Sequence, residues 1–572
     1  MSADRTDISI VLCGEAGQGI QTVENVLVRL LKRSGFHVFA TKEYMSRIRG
    51  GVNSTVIRAG GERVRAYSER IDLLLPLGRG GLRHLARRIS AETVLAGEPE
   101  HLEGDVPGAR LEVPLKRLAA EAGSKAPVNM AALGVAAGLL ALEGEVVARV
   151  IRETFSGKDQ AQVEANVVAA AKGAEAGRNL VRGGFFRPPP FRAVNDVSEE
   201  IVLSGAEAVG LGALAGGCDF LSSYPMSPST GVMTFLAGRA KDFGVVVEQA
   251  EDEISAVNMA LGAWYAGGRA MVTTSGGGFA LMVEGLSLAG MLESPLVIHV
   301  GQRPGPATGL PTRTEQADLE FVLRAGHGEF PRVILAPGTL EEGFDLTRRA
   351  FDTADRYQIP VFILSDQYFM DSLYNLPPFD VAGGPPERRF VRTAKDYRRY
   401  ALTPDGVSPR GIPGFGEGLV SVDSDEHDEE GHITEDLKLR KVMVEKRLRK
   451  GAAAAGAAVA PRWTGPAEAK DVVVSWGSTG PIIEEALGVL GRRDAAHLHF
   501  AQVHPLHADA GALLRRARRR VCVEGNATGQ FRRLLEAASG VSIEHGILKY
   551  DGLPFSVEEV AEGLGGLLDG GG

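Results

Sequence analysis

A short apolar run that breaks on glycines and passes into a helical pattern restricts this chain more than any other feature. The run ISIVLCGEAGQGIQTVENVLVRLLKRSG (8–35) is the first instance. Four to eight apolar residues suit a strand buried on both faces, and the spacing of Val, Leu and polar residues behind the glycines suits an amphipathic helix. VFATKEY, STVIRAG and LLLPLG read as further strands of the same module. The arrangement recurs with CDFLSSY, RAMVTTS, SPLVIHV and IPVFILS, and again with VVVSW, AAHLHFAQV and RVCVEG. Strands alternating with helices predict an α/β fold class built of several doubly wound modules. The divisions fall at 1–185 for a first α/β domain, 186–198 for a linker marked by three consecutive prolines, and 199–380 for a second α/β domain. A connecting segment without clear periodicity covers 381–466, and a third α/β domain covers 467–572.

Composition bounds the function. With 572 residues, 44% hydrophobic and 24% charged, the chain has the make-up of a soluble globular enzyme. A net charge of −9 gives no reason to expect a nucleic-acid partner. The first residues contain no apolar signal core, and no apolar run approaches a membrane span, so a cytoplasmic location is expected. Cys13, Cys218 and Cys522 are far apart in apolar contexts, fewer than the four thiolates an iron–sulfur cluster takes.

Several stretches carry chemistry. SSYPMSPSTG (222–231) leaves an apolar strand through two prolines and a set of hydroxyls, which predicts a rigid loop holding Tyr224, Pro225, Met226, Ser227 and Pro228 at fixed angles. An ordinary strand-to-helix turn accounts for the same residues. GEAGQG places Gly17 and Gly19 where backbone amides and a helix start can cradle phosphate, or where a tight turn is needed. Its spacing differs from the dinucleotide fingerprint, and no acidic residue ends the next strand, which argues against an NAD-linked dehydrogenase. Arg47 and Arg49, in SRIRGG, suit phosphate or coenzyme A recognition and equally an intersubunit ion pair. Arg303 and Arg313, in GQRPGPATGLPTRTEQADL, follow a strand at the sheet edge where open α/β folds bind ligands, and predict an anionic substrate. VEQAEDEISAVNMALGAWYAGG reads as a helix that begins with glutamates, of which Glu248 and Glu251 suit the helix dipole. SDEHDEEGH is a crowded acidic loop, and no metal site is assigned to it.

Taken together, YPMSP, AEDEISAVNMALGA, TTSGGGF, GQRPGPATGLPTRTEQ, LTPDGVSPRGIPG, SDEHDEEGH and VEGNATGQF resemble the 2-oxoacid:ferredoxin oxidoreductases, in the form of an α subunit with the γ domain fused in front. The likeness runs through nearly the whole chain. It departs from the family pattern at Ser227, where threonine is usual, and in SGGGF, where proline commonly takes the middle glycine. The resemblance implies a γ domain, a pyrimidine-binding-like domain of the thiamine diphosphate enzymes and a transketolase C-terminal-like domain. Glu253 then matches the carboxylate that binds the pyrimidine ring and sets its tautomer, which is acid–base catalysis performed by a tuned cofactor. Tyr224 to Pro228 and Arg303 match substrate-binding positions, and Arg313 is assigned to a second, distal carboxylate or to a partner interface. No GDG segment for diphosphate and Mg²⁺ occurs, so the resemblance implies a β subunit that holds most of the thiamine diphosphate and a [4Fe-4S] cluster. The implied reaction converts 2-oxoglutarate, coenzyme A and oxidised ferredoxin into succinyl-CoA, CO₂ and reduced ferredoxin, in a dimer of αβ heterodimers. Pyruvate or a branched-chain 2-oxoacid is the alternative substrate, and a non-catalytic scaffold the alternative of another class.

Overall fold

The computed structural model describes residues 6–46, 51–123, 127–188, 193–381 and 386–568. The chain forms two compact units, Met1–Leu203 with Ser372–Pro378, and Ser204–Asp371 with Phe379–Gly572.

The first unit is built on an eight-stranded sheet centred on Asp7–Glu15, whose first eight residues are all buried. Leu73–Pro76 pairs with it in parallel and Val52–Gly60 antiparallel. Val94–Gly97 and Ala109–Glu112 continue the parallel side, while His37–Glu43 pairs antiparallel with Val52–Gly60. The connection 44–51 explains this mixed pairing, because a parallel crossover needs a dozen or more residues. Helix Ile20–Arg33 buries Val23, Leu27, Leu30 and Leu31, the apolar stripe read from its spacing.

The second unit carries a seven-stranded and a five-stranded sheet. The seven-stranded sheet runs Gln502–His504, Val333–Leu335, Pro360–Asp366, Leu296–Gln302, Ala270–Thr274, Phe220–Ser223, Val246–Gln249. Its pairs are parallel except the first, which is antiparallel. The five-stranded sheet pairs Asp471–Trp476 in parallel with Ala496–Phe500 and Arg519–Glu524, and adds His545–Leu548 in parallel at one edge. The inner strands Ala270–Thr274, Leu296–Gln302, Pro360–Asp366 and Ala496–Phe500 are buried along their whole length, as parallel sheets covered on both faces require, while the edge strand Val246–Gln249 is largely exposed.

Two sequence expectations change here. AAHLHFAQV, read as one strand, is two: Ala496–Phe500 stays in the five-stranded sheet and Gln502–His504 crosses to the edge of the seven-stranded one. The stretch read as irregular contains the twenty-residue helix Leu437–Gly456. Its buried face consists of Met443, Lys446, Arg447, Lys450 and Ala454, so an apolar period was never there to be seen.

Candidate active site

The YPMSP turn leaves the carboxyl end of strand Phe220–Ser223. Buried hydroxyls tie the strand and turn to their neighbours. Ser222 Oγ donates to the carbonyl of Ala256 at 2.6 Å, Ser223 Oγ to that of Thr273 at 2.6 Å, and Ser229 Oγ to that of Met226 at 2.7 Å. Helix Thr230–Phe243 follows, and Ser229 stands at its N-cap without a side-chain capping bond. The hydroxyls therefore stitch the turn down and do not cap the next helix. Gly301 approaches Pro228 so closely that a Cβ there would stand 2.9 Å from the proline ring. Tyr224 is exposed, Pro225, Met226 and Ser227 are half-buried, and Pro228 is buried. Among the described residues the Ser227 hydroxyl makes no hydrogen bond, while its carbonyl accepts one from Arg303 Nη1 at 2.7 Å.

Glu253 is the first residue of helix Glu253–Tyr265. Asp252 caps that helix, its carboxylate accepting from the Ser255 amide at 2.7 Å. Glu248 lies instead on strand Val246–Gln249, and Glu251 falls outside the helix and is exposed, so neither is the first-turn dipole partner expected from sequence. Glu253 is 3% exposed, and its Oε1 is buried with no hydrogen-bond partner among the described residues. A carboxylate oxygen so placed is costly unless a donor meets it.

The glycines of SGGGF explain how the carboxylate is accommodated. They open the short helix Gly276–Phe279. A Cβ on Gly278 would lie 2.5 Å from Glu253 Oε1, and one on Gly276 would lie 2.5 Å from Asp318 Oδ1. One on Gly277 would reach the Ala307 carbonyl at an ordinary 3.5 Å. The turn thus passes between two carboxylates, with a glycine against each.

Asp318 was not singled out from sequence. Its Oδ2 is buried without a partner among the described residues, and its amide donates to Gln302 Oε1 at 3.0 Å. Burial pushes its carboxyl up to about 6, against the opposing pull of Arg303. Burial also lowers Arg303 from its usual range, while Asp318 raises it. A carboxylate in the same strand-end loop as the arginine was the available signal.

The rest of that loop is clamped to the VEGNATGQ turn. The Gln316 amide donates to the Gly525 carbonyl at 2.6 Å and the Gly525 amide to Gln316 Oε1 at 2.9 Å. Gln530 Nε2 donates to the Ala317 carbonyl at 2.8 Å, and the Glu320 amide to Gln530 Oε1 at 2.9 Å. Glu524 organises the turn, accepting from the Phe531 and Arg532 amides and from Asn526 Nδ2 at 2.8, 2.9 and 2.9 Å. Arg313 lies beside Gly552, where a Cβ would stand 3.2 Å from that of Arg313, and the Thr314 amide donates to the Gly552 carbonyl at 3.1 Å.

In the first unit, Gly17 and Gly19 adopt φ of 93° and 79°, which glycine alone takes freely, and Gly19 precedes helix Ile20–Arg33. Gln18 closes the turn by accepting from the Glu15 amide at 2.8 Å. Arg47 and Arg49 lie outside the described residues. The three cysteines are buried, and burial pushes the Cys13 and Cys218 thiols up to about 12, which makes them poor metal ligands. In the acidic loop, ligand atoms of Asp428, Glu430 and His432 lie within 4.8 Å of one another. Asp428 is engaged by the amides of Glu430 and His432, and Glu430 pairs with Arg398 at 3.0 Å. No helix among the described residues is long and apolar enough to cross a membrane.

Residues 9–176 match the family described as pyruvate ferredoxin/flavodoxin oxidoreductase, and residues 211–446 its thiamine diphosphate-binding family. A curated 2-oxoacid:ferredoxin oxidoreductase subunit alpha from Sulfolobus sp is 30% identical over 97% of this chain and 96% of its own length. The chain belongs to the 2-oxoacid:ferredoxin oxidoreductases. It is an alpha subunit of that family. The Mycobacterium tuberculosis 2-oxoglutarate oxidoreductase subunit KorA is 32% identical over 77% of this chain and 68% of its own. A solved 2-oxoglutarate:ferredoxin oxidoreductase from Magnetococcus marinus, with 2-oxoglutarate, coenzyme A and succinyl-CoA bound, is similar with a TM-score of 0.91. It is 28% identical, over 98% of this chain and 99% of that one. Glu253, the YPMSP turn and Arg303 lie inside residues 211–446, the segment that matches the thiamine diphosphate-binding family.

Proposed function

We propose that this subunit, joined by a β subunit, oxidatively decarboxylates 2-oxoglutarate with coenzyme A and passes the electrons to ferredoxin. The observation that carries the reading is the buried, unpartnered Oε1 of Glu253 against Gly278. Such an acceptor fits the protonated nitrogen of the thiamine diphosphate pyrimidine. Bound there, thiamine diphosphate supplies the nucleophilic carbon and electron sink for decarboxylation. Glu253 holds the ring and shares its proton. Arg303, steadied by the Ser227 carbonyl, takes the C1 carboxylate, and the Ser227 hydroxyl donates to the keto oxygen. Arg313 takes the distal carboxylate that distinguishes 2-oxoglutarate from pyruvate and the branched-chain acids. The β subunit contributes the diphosphate and Mg²⁺ ligands and the [4Fe-4S] cluster, within a cytoplasmic dimer of αβ heterodimers. Gly17, Gly19, Arg47 and Arg49 serve coenzyme A or the subunit interface.

The two arginines give the test. Every 2-oxoacid has the C1 carboxylate, so Arg303→Ala lowers turnover of all of them. A buried charge-assisted contact is worth about 1.5–3 kcal/mol. Arg313→Ala therefore lowers kcat/KM for 2-oxoglutarate by about 10- to 150-fold and leaves pyruvate or 2-oxobutyrate nearly unchanged. Equal losses on both substrates remove Arg313 from the substrate site and with it this argument for 2-oxoglutarate.

A further inference from the structure

A cavity of about 250 Å³ opens beside the C-terminal half of the Glu253 helix. Leu261, Trp264, Leu288 and Leu292 give it apolar walls, and two arginines, Arg399 and Arg410, share the lining. Both arginines are buried, at 4% and 5% exposure. Arg399 Nη2 donates to the carbonyls of Leu292 and Glu293, at 3.2 and 2.8 Å. Arg410 donates to the Trp264 carbonyl at 2.9 Å and to Asp355 at 2.6 Å. Each keeps one buried nitrogen without an acceptor, Nη1 of Arg399 and Nε of Arg410. Guanidinium N–H groups left unmet at that depth call for an explanation.

The charges behind them point the same way. Glu293 is taken by Lys446, at 2.7 Å to both oxygens, and by Lys450. Asp355 is shared between Arg410 and Arg269, at 2.6 and 3.0 Å. The exposed Asp352 adds to Arg269, and Arg447 is matched by Glu426. Among the described residues Arg399 hydrogen-bonds carbonyls alone. Burial is the main cause that draws Lys450 down to about 7 against the pull of Glu293, and the Lys446 and Arg399 cations add to it. Two guanidinium cations lining an otherwise largely apolar cavity select an anion with an apolar body. At roughly 30 Å³ per water, the space matches about eight waters, enough for a six-carbon acid.

We propose that this cavity binds a small monocarboxylate with an apolar chain, its carboxylate on Arg399 and Arg410 and its chain against Leu261, Trp264, Leu288 and Leu292. The site is separate from Arg303, which does not line it. Hexanoate is the probe and hexanamide its neutral isostere, titrated by calorimetry into the purified complex with its β subunit. Hexanoate binds at least about tenfold tighter than hexanamide, and Arg399→Met removes that preference. The Arg303→Ala complex still binds hexanoate. Gly262→Leu, at a lining position where an added Cβ meets nothing within 4 Å, fills the space and weakens both ligands. That variant carries the test if Arg399→Met does not fold. Absence of hexanoate binding, equal affinity for hexanamide, or binding lost with Arg303→Ala and kept with Gly262→Leu overturns the proposal.

Discussion

Replacing Gly278 by alanine adds one methyl group to the wall of the Glu253 pocket. The new Cβ would strike the Thr274 hydroxyl first, and would lie 2.5 Å from Glu253 Oε1 and 3.0 Å from its Cδ. Ordinary contacts begin near 3.5 Å, so the carboxylate must withdraw by roughly 1 Å. A hydrogen bond formed by that oxygen at about 2.8 Å is then broken, since useful N···O distances end near 3.2 Å. The loss of a charge-assisted bond, about 1.5–3 kcal/mol, becomes about 10- to 150-fold in thiamine diphosphate affinity and turnover. Folding stability falls by up to about 2.5 kcal/mol, so cofactor affinity is read on the assembled complex. Gly278 lies in a helix, where alanine gains about 0.5–1 kcal/mol, against about 1–3 kcal/mol for crowding. Gly277→Ala is the internal control, because its Cβ meets the Ala307 carbonyl at 3.5 Å. The assay compares both variants in complex with the β subunit, by melting temperature, cofactor titration and coenzyme A-dependent viologen reduction. Wild-type cofactor affinity in Gly278→Ala, or equal losses in the two variants, refutes the reasoning.

Glu253→Gln keeps the shape of the side chain and removes its proton-sharing role, and should cost about 10²–10⁴-fold in turnover while the complex still assembles, as gel filtration would report. Asp318 titrates near 6 in the folded chain, above its usual 3.8, so its contribution to stability is present below pH 4 and lost as pH rises through 6. Asp318→Asn should therefore gain melting temperature relative to the unmodified chain between pH 4 and 7. A parallel pair of curves would remove Asp318 from the buried groups. Glu293→Gln strands the ammoniums of Lys446 and Lys450 at 0% and 1% exposure and should cost about 3–5 kcal/mol in urea unfolding.

What was legible in the sequence was whatever follows a period or a turn rule. The buried strands Asp7–Glu15, Leu296–Gln302 and Pro360–Asp366 are predominantly apolar and fall where read. Helix Leu437–Gly456 was lost because its inward positions are mainly lysine and arginine, the lysines buried against Glu293, distant in sequence, and Arg447 against Glu426. The start of the Glu253 helix was blurred by three glutamates in six residues. Only the Asp252 cap, visible as a hydrogen bond to Ser255, separates strand from helix there. Arg303 was singled out from its strand-end position. Asp318 was missed because its significance lies in an unpartnered oxygen and in Gly276, features that exist only after folding.

The three glycines of the SGGGF turn divide by what each would strike, and this sets which of them evolution can alter. Gly276 and Gly278 each face a carboxylate at a distance no side chain permits, so drift at either must disturb an acid. Gly277 has room. It is also the second residue of a helix, where the amide has no intrahelical acceptor and its loss to proline removes nothing. Proline, the residue common at this middle position in the family, is thus the substitution that the local geometry admits. Natural variation in the turn should be concentrated there, and a sequence that changes either outer glycine should also have changed the acid it faces.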